Sequence, residues 1–155
     1  MTAVKVSMET ALKTTPNTAP LSDDKHAFEL LTLEVFLPGL SWALVEKKRE
    51  ALRDAFCDFD PELIAEFDEE DVEYLLSNPK LIRNRRKIEA VITNAKAAVA
   101  MRKDQSLSEL INWYLENDDF KDGLSLTAYL RPLGFVYIGP TTMDGMIAMI
   151  TSSSQ

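Results

Sequence analysis

The chain has 155 residues, 46% hydrophobic and 27% charged, with a formal net charge of −8. This is the composition of one globular domain with an ordinary core, and its negative balance argues against an indiscriminate nucleic-acid binder. No stretch approaches the roughly 20 apolar residues of a membrane span, and the first twenty residues lack the apolar centre of a secretory signal. Cys57 and His26 are the only residues of their kinds, so neither an intrachain disulfide nor a closed four-ligand zinc site is expected, and a reducing cytoplasm is the expected compartment.

Residues 1–20 are rich in Thr and Ala, hold two prolines and show no sustained period; an irregular N-terminal arm is predicted there. Ser22 is a candidate N-cap for a helix over Asp23 to Leu37 that Pro38-Gly39 ends. Ser41 can cap a helix from Trp42 to Phe56. Asp60-Pro61 opens a short helix to about Phe67, with Pro at the position where its missing N–H costs nothing. Asp68 caps Glu69 to Leu76, and Asn78-Pro79 stops that helix. From Arg83 to Met101, Ile88, Val91, Ile92, Ala95, Ala98 and Val99 recur at helical spacing. Ser106-Leu-Ser-Glu109 is a capping-box pattern opening a helix through Leu115. Ser125 to Leu133 is predicted helical with Gly134 as its stop, Phe135 to Ile138 as a short extended segment, and Thr142 to Ile150 as the last helix. The class is all-α, about seven or eight helices in a single compact domain over 21–151, with a frayed tail at 152–155.

Two features stand out against this background. Residues 60–73 carry eight acids and no base, whereas residues 80–103 carry eight bases against Glu89 alone. Such asymmetry can give an acidic protein one basic face, or merely keep its helices soluble. The other feature is Glu34, inside the apolar run LTLEVFLPGLSW. An ionised carboxylate out of water is costly unless compensated, so Glu34 either points to solvent on a helix rim or is held in a pocket for a purpose.

The segments FELLTLEVFLPGLSW, KKRE, FDP, EEDV and LIRNRRKIEAVITNA stand in the order and spacing of the DNA-3-methyladenine glycosylase I family, helix-hairpin-helix DNA glycosylases that the chain resembles. The likeness is close over roughly residues 20–103. It is looser over 124–150, where LRPLGFVYIGPTTMDGMIAMI is similar to the family's GFxFVGPTT segment. The resemblance implies an enzyme that flips an alkylated adenine out of double-stranded DNA and hydrolyses its N-glycosidic bond. It implies Glu34 as the catalytic, base-contacting carboxylate, with Trp42 stacking on the base and Phe28 as a further base-binding residue. Leu40 would act as an apolar wedge in the gap, beside Ser41. Residues 76–88 match the family's hairpin, where Arg83, Asn84, Arg85 and Lys87 would contact phosphate at a helix start.

The sequence also departs from the family pattern. Residues 1–20 contain no Cys, His, Trp or Tyr, so the family's N-terminal zinc ligands and pocket tyrosine have no counterpart there, and the C-terminal ligands are absent as well. A zinc-free, cofactor-free monomer is expected. Val35, Phe36 and Leu37 stand where the family has smaller or polar residues, which predicts a more apolar and narrower pocket. Lys80 replaces a hairpin glycine, so either the hairpin backbone differs or Lys80 is strained. The alternative to an active glycosylase is a catalytically weak or inactive paralogue that binds damaged DNA or a protein partner.

Overall fold

The computed structural model describes residues 21–117, 119 and 121–153. The arm expected over 1–20 lies outside the described residues. Eight α-helices are described: α1 (Asp24–Phe36), α2 (Trp42–Ala55), α3 (Pro61–Ile64), α4 (Glu69–Leu76), α5 (Arg85–Ala100), α6 (Leu107–Asn117), α7 (Gly123–Leu130) and α8 (Pro140–Ser153). The last helix therefore runs two residues into the tail expected to fray from 152. The described residues contain no strand. Phe135 to Ile138 is not a strand but a pinned loop. The buried Asn94 of α5 accepts from the Val136 N–H at 2.7 Å and donates to the Val136 carbonyl at 3.1 Å. Arg131 donates to the Ile138 carbonyl at 3.0 Å.

Helix α1 is the axis of the domain. Every residue from Ala27 to Phe36 is buried, as expected of a helix packed on all sides, and α6, α5, α8 and α2 surround it. Its N-cap is Asp23, whose carboxylate accepts from the His26 N–H at 2.8 Å, and not the neighbouring Ser22. A carboxylate at a helix start gains from the dipole as well as the hydrogen bond. The ring of Phe56 lies against those of Phe36 and Phe67, at 6.3 and 6.2 Å between centroids, joining α1 to the α2–α3 side of the core.

Local chemistry sets the other boundaries. Asp68 and Asp71 form a reciprocal capping box at α4, and Ser106 and Glu109 form another at α6. Between α2 and α3, Cys57, Asp58 and Phe59 all take left-handed φ, from 52° to 59°. The buried Phe59 ring under the Arg53 guanidinium, 5.8 Å from its centroid, is part of what holds that turn. Helices α4 and α5 with residues 77–84 between them form the helix-hairpin-helix element. Lys80 is not among the residues with positive φ. The hairpin instead closes through Asn78, whose side chain accepts from the Lys80 N–H at 2.9 Å and whose carbonyl accepts from the Leu81 N–H. The lysine is thus accommodated by a different backbone and not by strain.

Candidate active site

The turn from Leu37 to Ser41 brings Glu34 and Trp42 together. α1 ends at Leu37, the Leu40 N–H bonds back to the Leu37 carbonyl at 2.8 Å, and Gly39 supplies a φ of 85°. That value is costly for a residue with a Cβ. Ser41 then caps α2, its hydroxyl accepting from the Leu44 N–H at 3.1 Å, so Trp42 is the first helical residue. Glu34 and Leu37 from α1 and Trp42 from α2 form one side of an open cleft of about 510 Å³. Gly145, Ala148, Met149 and Ser152 of α8 form the other.

Glu34 is 4% exposed, and its carboxylate has no hydrogen-bond or ion-pair partner among the described residues. Burial raises its pKa to about 7, since the charged form has lost water without gaining a donor. Glu29, one and a half turns earlier on the same helix, is the control that the fold provides. It is equally buried, but its Oε2 accepts from Arg49 and Arg53 at 2.8 Å each. Beside Glu34 in the same cleft, Trp42 is 40% exposed, leaving much of the indole open to a ligand.

The other residues expected at the site divide. Phe28 is fully buried and does not line the cleft; six residues before Glu34 on α1, it points to a different side of the helix and serves the core. Val35 and Phe36 are likewise core residues, so of the three substituted positions only Leu37 faces the cleft. Leu40 is half-buried at the turn. Asn84 caps α5, accepting from the Lys87 N–H at 3.1 Å. Arg83 is exposed with no ion pair among the described residues. Arg85 is engaged by Glu69 and Glu89 near 3 Å and by Glu73. Lys87 corrects the phosphate expectation most clearly. It is turned inward, and its ammonium donates to the Phe36 and Pro38 carbonyls at 2.7 Å each. The cation sits at the negative end of α1 and braces the turn between Glu34 and Trp42.

The α8 wall was missed by sequence reasoning. Its signal was the spacing of Gly145, Ala148, Met149 and Ser152, one stripe of a helix, but small and apolar residues at that spacing do not by themselves distinguish a ligand wall from core packing. Among the described residues no group of three His, Cys, Asp or Glu side chains is arranged to hold a metal ion. No helix among them is long and apolar enough to cross a membrane.

An all-α domain with a helix-hairpin-helix element, an unpaired buried carboxylate and an open indole across one cleft has the design of a DNA glycosylase. The methyladenine glycosylase family model matches residues 16–150, and the chain belongs to that family. A DNA-3-methyladenine glycosylase of Haemophilus influenzae is 39% identical over 139 residues, the match covering 79% of this chain and 75% of that protein. DNA-3-methyladenine glycosylase 1 of Escherichia coli is 46% identical over 85 residues, 55% of this chain and about half (46%) of that relative. Among solved structures, 3-methyladenine DNA glycosylase I of Staphylococcus aureus superposes with a TM-score of 0.74 at 30% identity, covering 83% of this chain and 76% of that one. A complex of 3-methyladenine DNA glycosylase I with 3-methyladenine gives the same score and identity, covering 83% of this chain and 77% of that one.

Proposed function

We propose that this chain excises 3-methyladenine from alkylated duplex DNA by hydrolysing its N-glycosidic bond, with Glu34 as the catalytic carboxylate and Trp42 as the stacking platform. The observation that carries this reading is the contrast on α1, where Glu29 is buried and paired while Glu34 is buried with no partner among the described residues. A largely buried carboxylate that faces an open cleft, with no donor from the described residues, suits a positively charged partner. A 3-methylated adenine in DNA is cationic, and its exocyclic amine can donate to Glu34.

Pairing with the cation favours the ionised carboxylate, so the lesion recruits the charge that recognises it. An ordinary adenine brings no positive charge and leaves the desolvation uncompensated. As the bond from sugar to base breaks, its electrons leave with the base, which departs neutral, and positive charge develops on the deoxyribose. The fixed negative charge of Glu34 steadies that charge until water adds to the sugar carbon and releases a proton to solvent. Trp42 stacks on the extruded base, with the α8 wall opposite it. Leu40, at the tip of the turn between the two site residues, enters the gap in the stack. The Ser41 hydroxyl, which accepts from Leu44, keeps its own proton for a phosphate.

DNA is held at the start of α5 by free backbone donors of its first turn and by Arg83, with Arg86, exposed and without an ion pair among the described residues, as a further phosphate ligand. Arg85 joins them only by leaving its carboxylates. The enzyme acts as a monomer without zinc, in a reducing cytoplasm where the unpaired Cys57 persists.

Release of free base from N-methylated duplex DNA tests the reading. Wild type should far exceed spontaneous depurination, and Glu34→Gln and Trp42→Ala should each lose on the order of 10²-fold or more. Wild-type release no faster than background would overturn it.

A further inference from the structure

Helix α8 contains a glycine in its interior, where that residue is less favourable than alanine. Gly145 is the sixth residue of α8 and lies directly against Glu34. A Cβ built at Gly145 would overlap Glu34 Oε1 and fall 2.9 Å from Cδ and 3.2 Å from Oε2. All three of the nearest atoms belong to the one carboxylate. No backbone atom and no other side chain is among them.

We infer that Gly145 is a positioning residue for catalysis: by lacking a side chain it leaves the space the Glu34 carboxylate occupies, and so fixes where that charge meets the base. The glycine lets α8 close on α1 until the carboxylate is largely buried without a donor among the described residues. On one side Glu34 is shielded by the bare α8 backbone; on the other it opens to the cleft that Trp42 and Ala148 also line. A methyl at Gly145 displaces the flexible end of Glu34 and leaves the helix itself in place, since the overlap is with the tip of a side chain. A catalytic group moved by ~1 Å can lose on the order of 10²-fold in rate. Helix preference and catalytic geometry therefore pull in opposite directions at this residue.

This inference rests on Glu34 having the catalytic role given above, and the test separates the two. Base release from methylated duplex DNA is measured in single turnover for wild type, Gly145→Ala, Glu34→Gln and the double variant, with urea unfolding of each. Gly145→Ala should keep the wild-type fold, with a urea midpoint at or above that of wild type, while losing roughly 10- to 100-fold in excision. The same change should cost nothing further in the Glu34→Gln background, where the charge it positions is already gone. Activity of Gly145→Ala within twofold of wild type would overturn the inference. So would an equal loss in both backgrounds, because the glycine would then act on something other than Glu34.

If wild type releases no base, the function reading fails and the contact is still tested by titration of Glu34 followed by carboxyl NMR. Displacement by the new methyl should move its midpoint away from the wild-type value, and an unmoved midpoint overturns the inference. Should Gly145→Ala fail to fold, Glu34→Ala in the same chain should repair it by emptying the space; failure to repair would overturn the inference too.

Discussion

Two glutamates on one helix behave as different kinds of residue because of what reaches them. Arg49 and Arg53 extend from α2 to Glu29, whereas Glu34 lies where α1 meets the bare backbone of α8. For Glu34 the folded state favours the protonated carboxyl, with a pKa of about 7 against the ordinary 4.5. Between those values the native protein holds a proton that the unfolded chain has released, so stability falls as pH rises through that window. Allowing for screening through the open cleft, the full difference is on the order of 1–3 kcal/mol. Glu34→Gln, neutral at every pH, should therefore match wild-type stability near pH 4.5 and exceed it by about 1–3 kcal/mol at pH 8. Urea unfolding at the two pH values checks this, and a gap that does not widen with pH would contradict it. The same proton governs activity. Recognition of a cationic base needs the ionised form, so kcat/KM should climb with pH to a plateau above about 7, the free-enzyme value. Glu34→Gln should remove that limb from whatever residual rate it retains.

At the scale of elements, the charge runs of the sequence meet and partly cancel. Arg85 at the start of α5 is enclosed by Glu69 and Glu73 of α4 and Glu89 of its own helix. Arg102 bonds Asp24 and Glu62 at 2.9 and 2.7 Å. Asp60, Asp68 and Asp71 of the acidic run are caps. Part of the apparent acid–base asymmetry is thus taken up by ion pairs and helix caps, and reading all of it as a surface field overstates the field. Lys87 was misread for a related reason: sequence places it in a basic helix start, but only the packing of α5 on α1 shows which way it points. Burial lowers its pKa, and its ammonium gives two hydrogen bonds, to the Phe36 carbonyl that ends α1 and to the Pro38 carbonyl in the turn beyond it. Lys87→Met should cost about 2–4 kcal/mol, because those carbonyls lose charge-assisted donors in a dry place. It should also reduce excision by loosening the turn between Glu34 and Trp42. Chemical denaturation and the base-release assay read the two effects.

Across the whole molecule, the helices were legible because their punctuation is local. Asp-Pro at 60–61, the Ser106–Glu109 box and Gly134 mark boundaries that require no knowledge of neighbours, and most helix ends fall within a few residues of where those signals put them. The contacts of individual side chains were not legible to the same degree, since they depend on which helix lies opposite. Phe28 is aromatic and near the motif yet faces the core, while the α8 stripe, over a hundred residues from Glu34 in the chain, completes the cleft. The same distinction bears on DNA. Of the eight bases in residues 80–103, Arg85 and Arg102 are ion-paired and Lys87 is buried; Lys80, Arg83, Arg86, Lys96 and Lys103 are exposed, the first three around the hairpin and the start of α5. Each cation that neutralises a phosphate contributes roughly 0.9 to the slope of log K against log salt. Arg83→Ala and Arg86→Ala should each reduce that slope by about one for a duplex carrying an abasic site, and together by about two. Lys87→Met should leave the slope unchanged even as it impairs excision, because its charge faces α1 and never meets the backbone of DNA. Fluorescence anisotropy over a salt series measures all of these slopes; a reduced slope for Lys87→Met, or none for the two arginine variants, would move the DNA-binding face away from the start of α5.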